Sequence, residues 1–232
     1  MELKQKITNL LTTNKISTTE VCDVMGKVGN LEGIRPVNQG LYAAGEVFYS
    51  FAHDETNFDL HRQLEKIEKN QIAFIDSIDC GNRAVIGDLV AKYLLLYKGA
   101  KGVVTNGYMR DANELIKQRR YVWCSGLTPI GCHNHNKISS EKTAEQVQKR
   151  KKIFENSILV CDDSGTCLIE EEFINDDLIR KLEYIELQED IWYFCIDTLK
   201  WSTYETVALK RYLEEPELLP KIFRDKLLNL DP

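Results

Sequence analysis

Two acids and an arginine stand out along the chain: Asp88, and the adjacent pair Arg110-Asp111. Each closely follows a short apolar run and a glycine-bearing turn, Ala84-Val85-Ile86 then Gly87 in the first case, Gly102-Val103-Val104-Thr105 then Asn106-Gly107 in the second. Each also opens a stretch that reads as a helix. The three residues are therefore expected in the first turns of consecutive helices at the carboxyl edge of an open α/β sheet, where ligands usually bind. Carboxylates in that position can hold a hard cation, and a guanidinium can grip a substrate carboxylate through two parallel hydrogen bonds. An aspartate at a helix start is equally an ordinary cap, so neither acid marks a site by itself. An arginine there runs against the helix dipole and asks for a functional reason.

The elements that must position these residues are legible on both sides. Ser17-Thr18-Thr19-Glu20 is a capping box, with Val21, Met25 and Val28 at helical spacing, which predicts a helix from about Thr18 that ends by Gly29. The β-like run from Ala43 to Phe51 predicts a strand, Phe58 to Lys69 a helix, and Gln71 to Asp76 a short buried strand. Ala84 to Ile86 reads as a strand, Leu89 to Tyr97 as an apolar helix, Gly102 to Thr105 as a strand, and Arg110 to Leu115 as the opening of another helix. This alternation predicts a parallel α/β arrangement. Tyr121 to Cys124 adds a strand, 125–137 a loop, and Ser139-Ser140-Glu141 a charged helix. Ser157 to Asp162 and Thr166 to Ile169 make a hairpin around Asp163-Ser164-Gly165. From Glu170 the chain turns acidic and helical, so residues 1–174 are expected to form a core domain and 175–232 a helical extension packed on it or on a neighbouring subunit.

Composition narrows the classes. With 232 residues, 43% hydrophobic and 28% charged, the chain has the make-up of a globular protein with a substantial core. A formal charge of -6 argues against a nucleic-acid binder, and the basic run Lys149 to Lys152 reads as a solvated helix face. Seven cysteines without a C-x-x-C pair are expected to be reduced thiols of a cytoplasmic protein. Neither an apolar signal core nor a membrane span of ~18 apolar residues is visible, so no membrane role is expected. Glycine-rich nucleotide loops and the G-x-S-x-G elbow are absent as well. Cys132, His133 and His135 read as a polar loop near the pocket, because zinc requires three or four ligands in definable spacing. His53 and His61 read as surface or satisfied core histidines. The aromatics from Trp192 to Tyr204 are expected in a core or an oligomer interface.

Four stretches together resemble the RraA-like family: 17–26 (STTEVCDVMG), 44–48 (AGEVF), 87–91 (GDLVA) and, most specifically, 99–111 (GAKGVVTNGYMRD). That family contains regulators of ribonuclease activity and 4-hydroxy-4-methyl-2-oxoglutarate aldolases. The resemblance covers roughly residues 16–130 and returns at 158–165. It implies a three-layer β/β/α fold of the swivelling-domain type, a homotrimer or a homohexamer built as a dimer of trimers, and a site at the subunit interface. It also implies the aldolases' signature of an aspartate, a long spacer and Arg-Asp, matched by Asp88, Arg110 and Asp111. Two departures accompany it. The spacer of twenty-one residues is about one longer than the aldolases usually have, and the family's Pro-Gly-Asp before its last hairpin is missing.

The resemblance gives the residues roles. A divalent cation, Mg²⁺ or Mn²⁺, would be anchored by Asp111 and would stabilise the charge that develops when a short 2-oxo acid loses pyruvate. Arg110 would hold the substrate carboxylate or carbonyl, and Asp88 would order water or assist proton transfer. Backbone N–H groups near Gly87 and Asp88 would receive the carboxylate. The expected activity is that of a metal-dependent aldolase or oxaloacetate decarboxylase. The alternatives are a non-enzymatic regulator that binds a ribonuclease or another protein, and a family scaffold turned to a different substrate. Asp111 favours the enzyme, since the regulators tend to lack that aspartate.

Overall fold

A computed structural model describes residues 2–229 of the chain. Helices α1 (Glu2–Asn14) and α2 (Thr18–Val24) come first, and the capping box predicted for α2 is formed. The Ser17 side chain accepts from the Glu20 N–H, and the Ser17 N–H donates back to the Glu20 carboxylate at 2.7 Å. The helix ends at Val24, several residues before the expected limit, where Gly26 turns into left-handed backbone (φ 80°).

Seven strands form the larger sheet, in the order β1 (Arg35–Pro36), β7 (Val122–Cys124), β5 (Gly102–Thr105), β3 (Ile72–Ile78), β2 (Ala43–His53), β9 (Ile158–Cys161) and β10 (Thr166–Ile169). The run from β7 through β5 and β3 to β2 is parallel, whereas β1, β9 and β10 pair antiparallel. A second sheet of three parallel strands stands beside it: β4 (Ala84–Ile86), β6 (Tyr108–Met109) and β8 (Gly126–Leu127). With α3 (Phe58–Leu64), α4 (Asp88–Lys92), α5 (Ala112–Lys117) and α6 (Glu141–Phe154), the two sheets give the mixed α/β fold that the resemblance implies.

The second sheet is what a simple strand-helix alternation does not anticipate. Each of β3, β5 and β7 is followed by a short strand that crosses to the small sheet before a helix or loop begins. The residues of interest are therefore carried at the ends of β4 and β6, not at the edge of the large sheet. Arg110 precedes α5 instead of lying in its first turn, so its charge does not oppose that helix's dipole from within.

One apolar cluster packs Ala73, Ile75 and Val103 of the large sheet against Leu60, Leu64, Leu94 and Leu115, together with Ile86 and Met109 of the small sheet. The opposite face buries Phe74, Val104, Trp123 and Leu159 with Phe154 of α6. Asp76 is fully buried on that face. It accepts from Tyr49 Oη at 2.8 Å, from Asn106 Nδ2 at 2.7 Å and from Arg150 Nε. Burial, then the Asp76 carboxylate, push the Tyr49 hydroxyl well above the ordinary phenol range. The basic run thus departs from expectation at one residue: Lys149, Lys151 and Lys152 are exposed, but Arg150 turns inward to neutralise a buried acid.

The chain divides into two compact units, one ending at Ile174 and the other beginning at Asn175. The second unit consists of α7 (Asp176–Asp197), short helical turns and α8 (Lys221–Asn229). Its own core holds Leu187, Ile191, Cys195, Tyr212 and Leu219, with Trp192, Phe194 and Trp201 against them. The Arg211 guanidinium lies 4.6 Å from the Trp201 ring centroid.

Candidate active site

Gly87 ends β4 and caps α4 with extended backbone (φ -137°, ψ -165°). Its lack of a side chain is a matter of space, not of torsion. A Cβ there would fall onto the Asp111 carboxylate, 3.0 Å from Asp111 Cγ and 2.9 Å from Arg110 Cγ. The approaching carboxylate belongs to a residue in left-handed backbone, φ 63° and ψ 37°, a conformation that Asp and Asn tolerate better than most L-residues. Asp111 occupies the cap position of α5, yet its side chain does not cap its own helix. It reaches across instead, and Oδ2 accepts from the Asp88 backbone N–H at 3.1 Å, at the start of α4. Oδ2 also lies 3.7 Å from Arg110 Nε.

The two helix starts are thereby tied together by one carboxylate. The Arg110 N–H donates to the Ile86 carbonyl at 3.1 Å, which fixes β6 to β4 at the same level. On the other side of the guanidinium lies Gly131, where a Cβ would stand 2.8 Å from Arg110 Nη1. The side chains of Arg110 and Asp111 remain about half exposed. Asp88, Asp111 and Glu114 line an open depression of about 550 Å³.

Asp88 behaves differently from Asp111. Its Oδ1 accepts from Arg120 Nε at 2.9 Å, with the two side chains 19% and 9% exposed. Asn38 holds the turn that carries Arg120, donating through Nδ2 to the Leu115 and Arg120 carbonyls at 3.0 and 2.9 Å. Asp88 is thus neutralised by a buried cation, and its N–H is already committed to Asp111. The carboxylate-receiving role expected of that N–H is filled internally. Because breaking a buried pair leaves an uncompensated charge, Arg120→Met and Asp88→Leu are each expected to lower unfolding stability by about 3 kcal/mol, measured by urea denaturation. A loss below about 1 kcal/mol in both variants would contradict the pairing.

Sequence reasoning missed Arg120 and Gly131. Arg119-Arg120 immediately before an apolar strand was a usable signal, since an arginine entering a buried strand needs an acid. Gly131 carried no local signal, because its neighbour Arg110 is distant in sequence. Cys132, His133 and His135 do not join the depression. The His133 and His135 carbonyls accept from Thr56 Oγ1 at 3.0 and 2.7 Å. Cys132 lies beside Cys80 and holds its thiol below the ordinary cysteine range. His53 is buried with Nδ1 2.9 Å from Asp54 Oδ2, and His61 is exposed. All seven cysteines are free thiols.

Among the described residues no cluster of three or more His, Cys, Asp or Glu side chains gathers around a common point. Asp111 is a single carboxylate, with one oxygen engaged by the Asp88 N–H and the other making no hydrogen bond among the described residues. That fits Mg²⁺ or Mn²⁺ completed by water and substrate oxygens, and does not fit a cation caged by protein alone.

The two sheets and the joined helix starts define a class that comparison with known proteins makes explicit. The RraA-like family model, described as Aldolase/RraA, matches residues 18–168. The chain belongs to the RraA-like family. It is similar to an uncharacterised protein of Pseudomonas syringae pv. tomato, with a TM-score of 0.66, 16% identity, and coverage of 84% of this chain and 89% of that one. It is also similar to RraAS2 of Streptomyces coelicolor, a member of the RNase ES inhibitor RraA protein family, with a TM-score of 0.61, 16% identity, and coverage of 80% and 96%. At these identities the likeness shows the fold alone. Protein DlpA of Legionella pneumophila is 23% identical over 194 residues, which are 78% of this chain and 30% of DlpA, so the chain spans under a third of that relative. Among the described residues no helix is long and apolar enough to cross a membrane.

Proposed function

We propose that this protein is a divalent-metal-dependent lyase that cleaves a carbon-carbon bond of a short 2-oxo acid and releases pyruvate. The observation that carries the reading is the Asp111 carboxylate, half exposed beside Arg110 and pinned between two helix starts through one oxygen. A divalent cation held there would supply positive charge to the substrate oxygens on which negative charge develops. Arg110 binds the substrate carboxylate through its planar fork, aimed by Gly131 on one side and Asp111 on the other. Asp88, paired with Arg120, keeps the start of α4 in register and presents its N–H to Asp111, so its part is to position the donor.

The reading includes an assembly. Leu89, Leu96 and Tyr97, which follow Asp88 in α4 and the helical turn after it, are 79%, 60% and 72% exposed, a costly display of apolar surface for a lone chain. A homotrimer, or a hexamer of two trimers, would cover this surface and enclose the open depression. Light scattering is expected to give a multiple of three chains, and Leu96→Glu to dissociate it. A stable monomer at micromolar concentration would remove the shared site.

The decisive assay is pyruvate release from oxaloacetate and from 4-hydroxy-4-methyl-2-oxoglutarate, with Mg²⁺ or Mn²⁺ and with chelator. Turnover is expected to vanish with chelator and return with either metal. Chelator-resistant cleavage counts against the mechanism. Absence of any turnover in an intact oligomer points instead to a protein that binds a partner.

A further inference from the structure

A second cavity, of about 640 Å³, lies along β2 and shares no residue with the depression at Asp88 and Asp111. Tyr49, Phe51 and His53 stand two apart on this strand and therefore on one side of it. Their rings follow one another at centroid distances of 6.5 and 5.9 Å, which makes a continuous aromatic strip. The Tyr49 ring is held by its hydroxyl's bond to buried Asp76. Gln63 closes the strand edge over Phe51: the Phe51 N–H donates to Oε1 at 3.0 Å, and Nε2 donates to the Phe51 carbonyl at 3.1 Å. The backbone groups of Phe51 are thus satisfied at the strand edge by a side chain of α3.

His53 is 4% exposed and lines the cavity. Its Nδ1 lies 2.9 Å from Asp54 Oδ2, so Nε2 is the nitrogen left for a ligand. The turn that brings Asp54 round places Asp54 and Glu55 in left-handed backbone, φ 48° and 64°, a conformation seldom adopted by a glutamate.

Charge around the rim is one-sided. Arg62 is matched by Asp59 at 2.7 Å and Lys151 by Glu155 at 3.1 Å. Lys66 and Lys137 have no carboxylate partner among the described residues. Lys137 Nζ donates to the Asp54 carbonyl at 3.1 Å, which sets its ammonium beside the His53-Asp54 pair. A surplus of positive charge in a chain whose formal charge is -6 is a local feature, and the place of Lys137 at the end of an aromatic strip calls for an anion with an apolar body. Ile138, next along the rim, is 92% exposed and adds apolar surface for that body.

We infer that this cavity binds a small organic oxyanion, its carboxylate or phosphate held by Lys137 and His53, with Lys66 adding positive charge on the rim, and its planar apolar body laid along Tyr49 and Phe51. Neither part is sufficient alone. Lysine ammonium groups at a solvated rim hold a bare anion weakly, and an aromatic strip by itself does not select a charged ligand.

Isothermal titration of the full chain with 2-naphthoate, 2-naphthyl phosphate, 2-naphthol, acetate and inorganic phosphate tests the site. One of the two naphthyl oxyanions is expected to bind saturably, at least about tenfold more tightly than 2-naphthol and than its own head group alone; the tighter of the two identifies the head. Lys137→Ala and Lys66→Ala, both at the rim, are expected to weaken that binding about tenfold together, and added salt to weaken it further. Asp111→Asn is expected to leave it unchanged, which separates this cavity from the proposed active site. No saturable binding below about 1 mM, equal affinity for 2-naphthol, or binding indifferent to both lysine substitutions overturns the proposal.

Discussion

Asp111→Asn is expected to lower kcat/KM for pyruvate release about 10²-fold or more, equivalent to ~3 kcal/mol, while leaving the fold intact. Asparagine suits left-handed backbone at least as well as aspartate, so the conformation at φ 63° is retained, and its carbonyl oxygen can still accept from the Asp88 N–H. What disappears is the negative charge that holds a hard cation, so raised Mg²⁺ is expected to restore part of the rate. Arg110→Lys makes the contrasting variant: it keeps the positive charge but loses the bidentate fork, so metal affinity is retained while kcat/KM falls by a similar factor. Had both residues only shaped the helix start, either change would cost at most ~1 kcal/mol of stability and leave turnover alone. Metal affinity, turnover and thermal midpoint measured on both variants separate the two outcomes, and near-wild-type turnover in Asp111→Asn without added metal would falsify the site.

Gly87→Ala is expected to cost about as much activity with no charged group removed at all. The added methyl has no room beside the Asp111 carboxylate, and the easiest adjustment is rotation of that side chain away from the Asp88 N–H. Backbone torsions at Gly87 are extended and open to alanine, so the change is expected to cost only ~1 kcal/mol in urea denaturation while kcat/KM drops about 10²-fold. Raised Mg²⁺ should help less here than in Asp111→Asn, because the donor is misplaced instead of uncharged. A Gly87→Ala protein that unfolds outright would assign the glycine to the fold. One that works normally would mean that the Asp111 carboxylate need not sit where it does.

Much of this was written locally in the chain. Ser17 and Glu20 close a capping box through contacts three residues apart, so the start of α2 followed from sequence. The Asp163-Ser164-Gly165 turn likewise announced the pairing of β9 with β10, because turn chemistry is local. The short β4 run, Gly87, and the Arg110-Asp111 pair after Asn106-Gly107 were visible in the chain as two turn-and-helix starts, and the family resemblance gave those residues a fold.

Tertiary structure decided how they meet. Two-residue strands such as β6 and β8 have no periodicity to read, and they exist because a neighbouring strand offers hydrogen bonds. Through them Asp111 arrives at the start of a helix twenty-three positions earlier in the chain, and Arg120 arrives beneath Asp88. Arg150 shows the same limit, since only packing revealed that one residue of a solvated-looking basic run serves a buried acid. Residue types and their order reside in the sequence. Which carboxylate is neutralised, and which stays half exposed, is fixed by burial and by partners far along the chain.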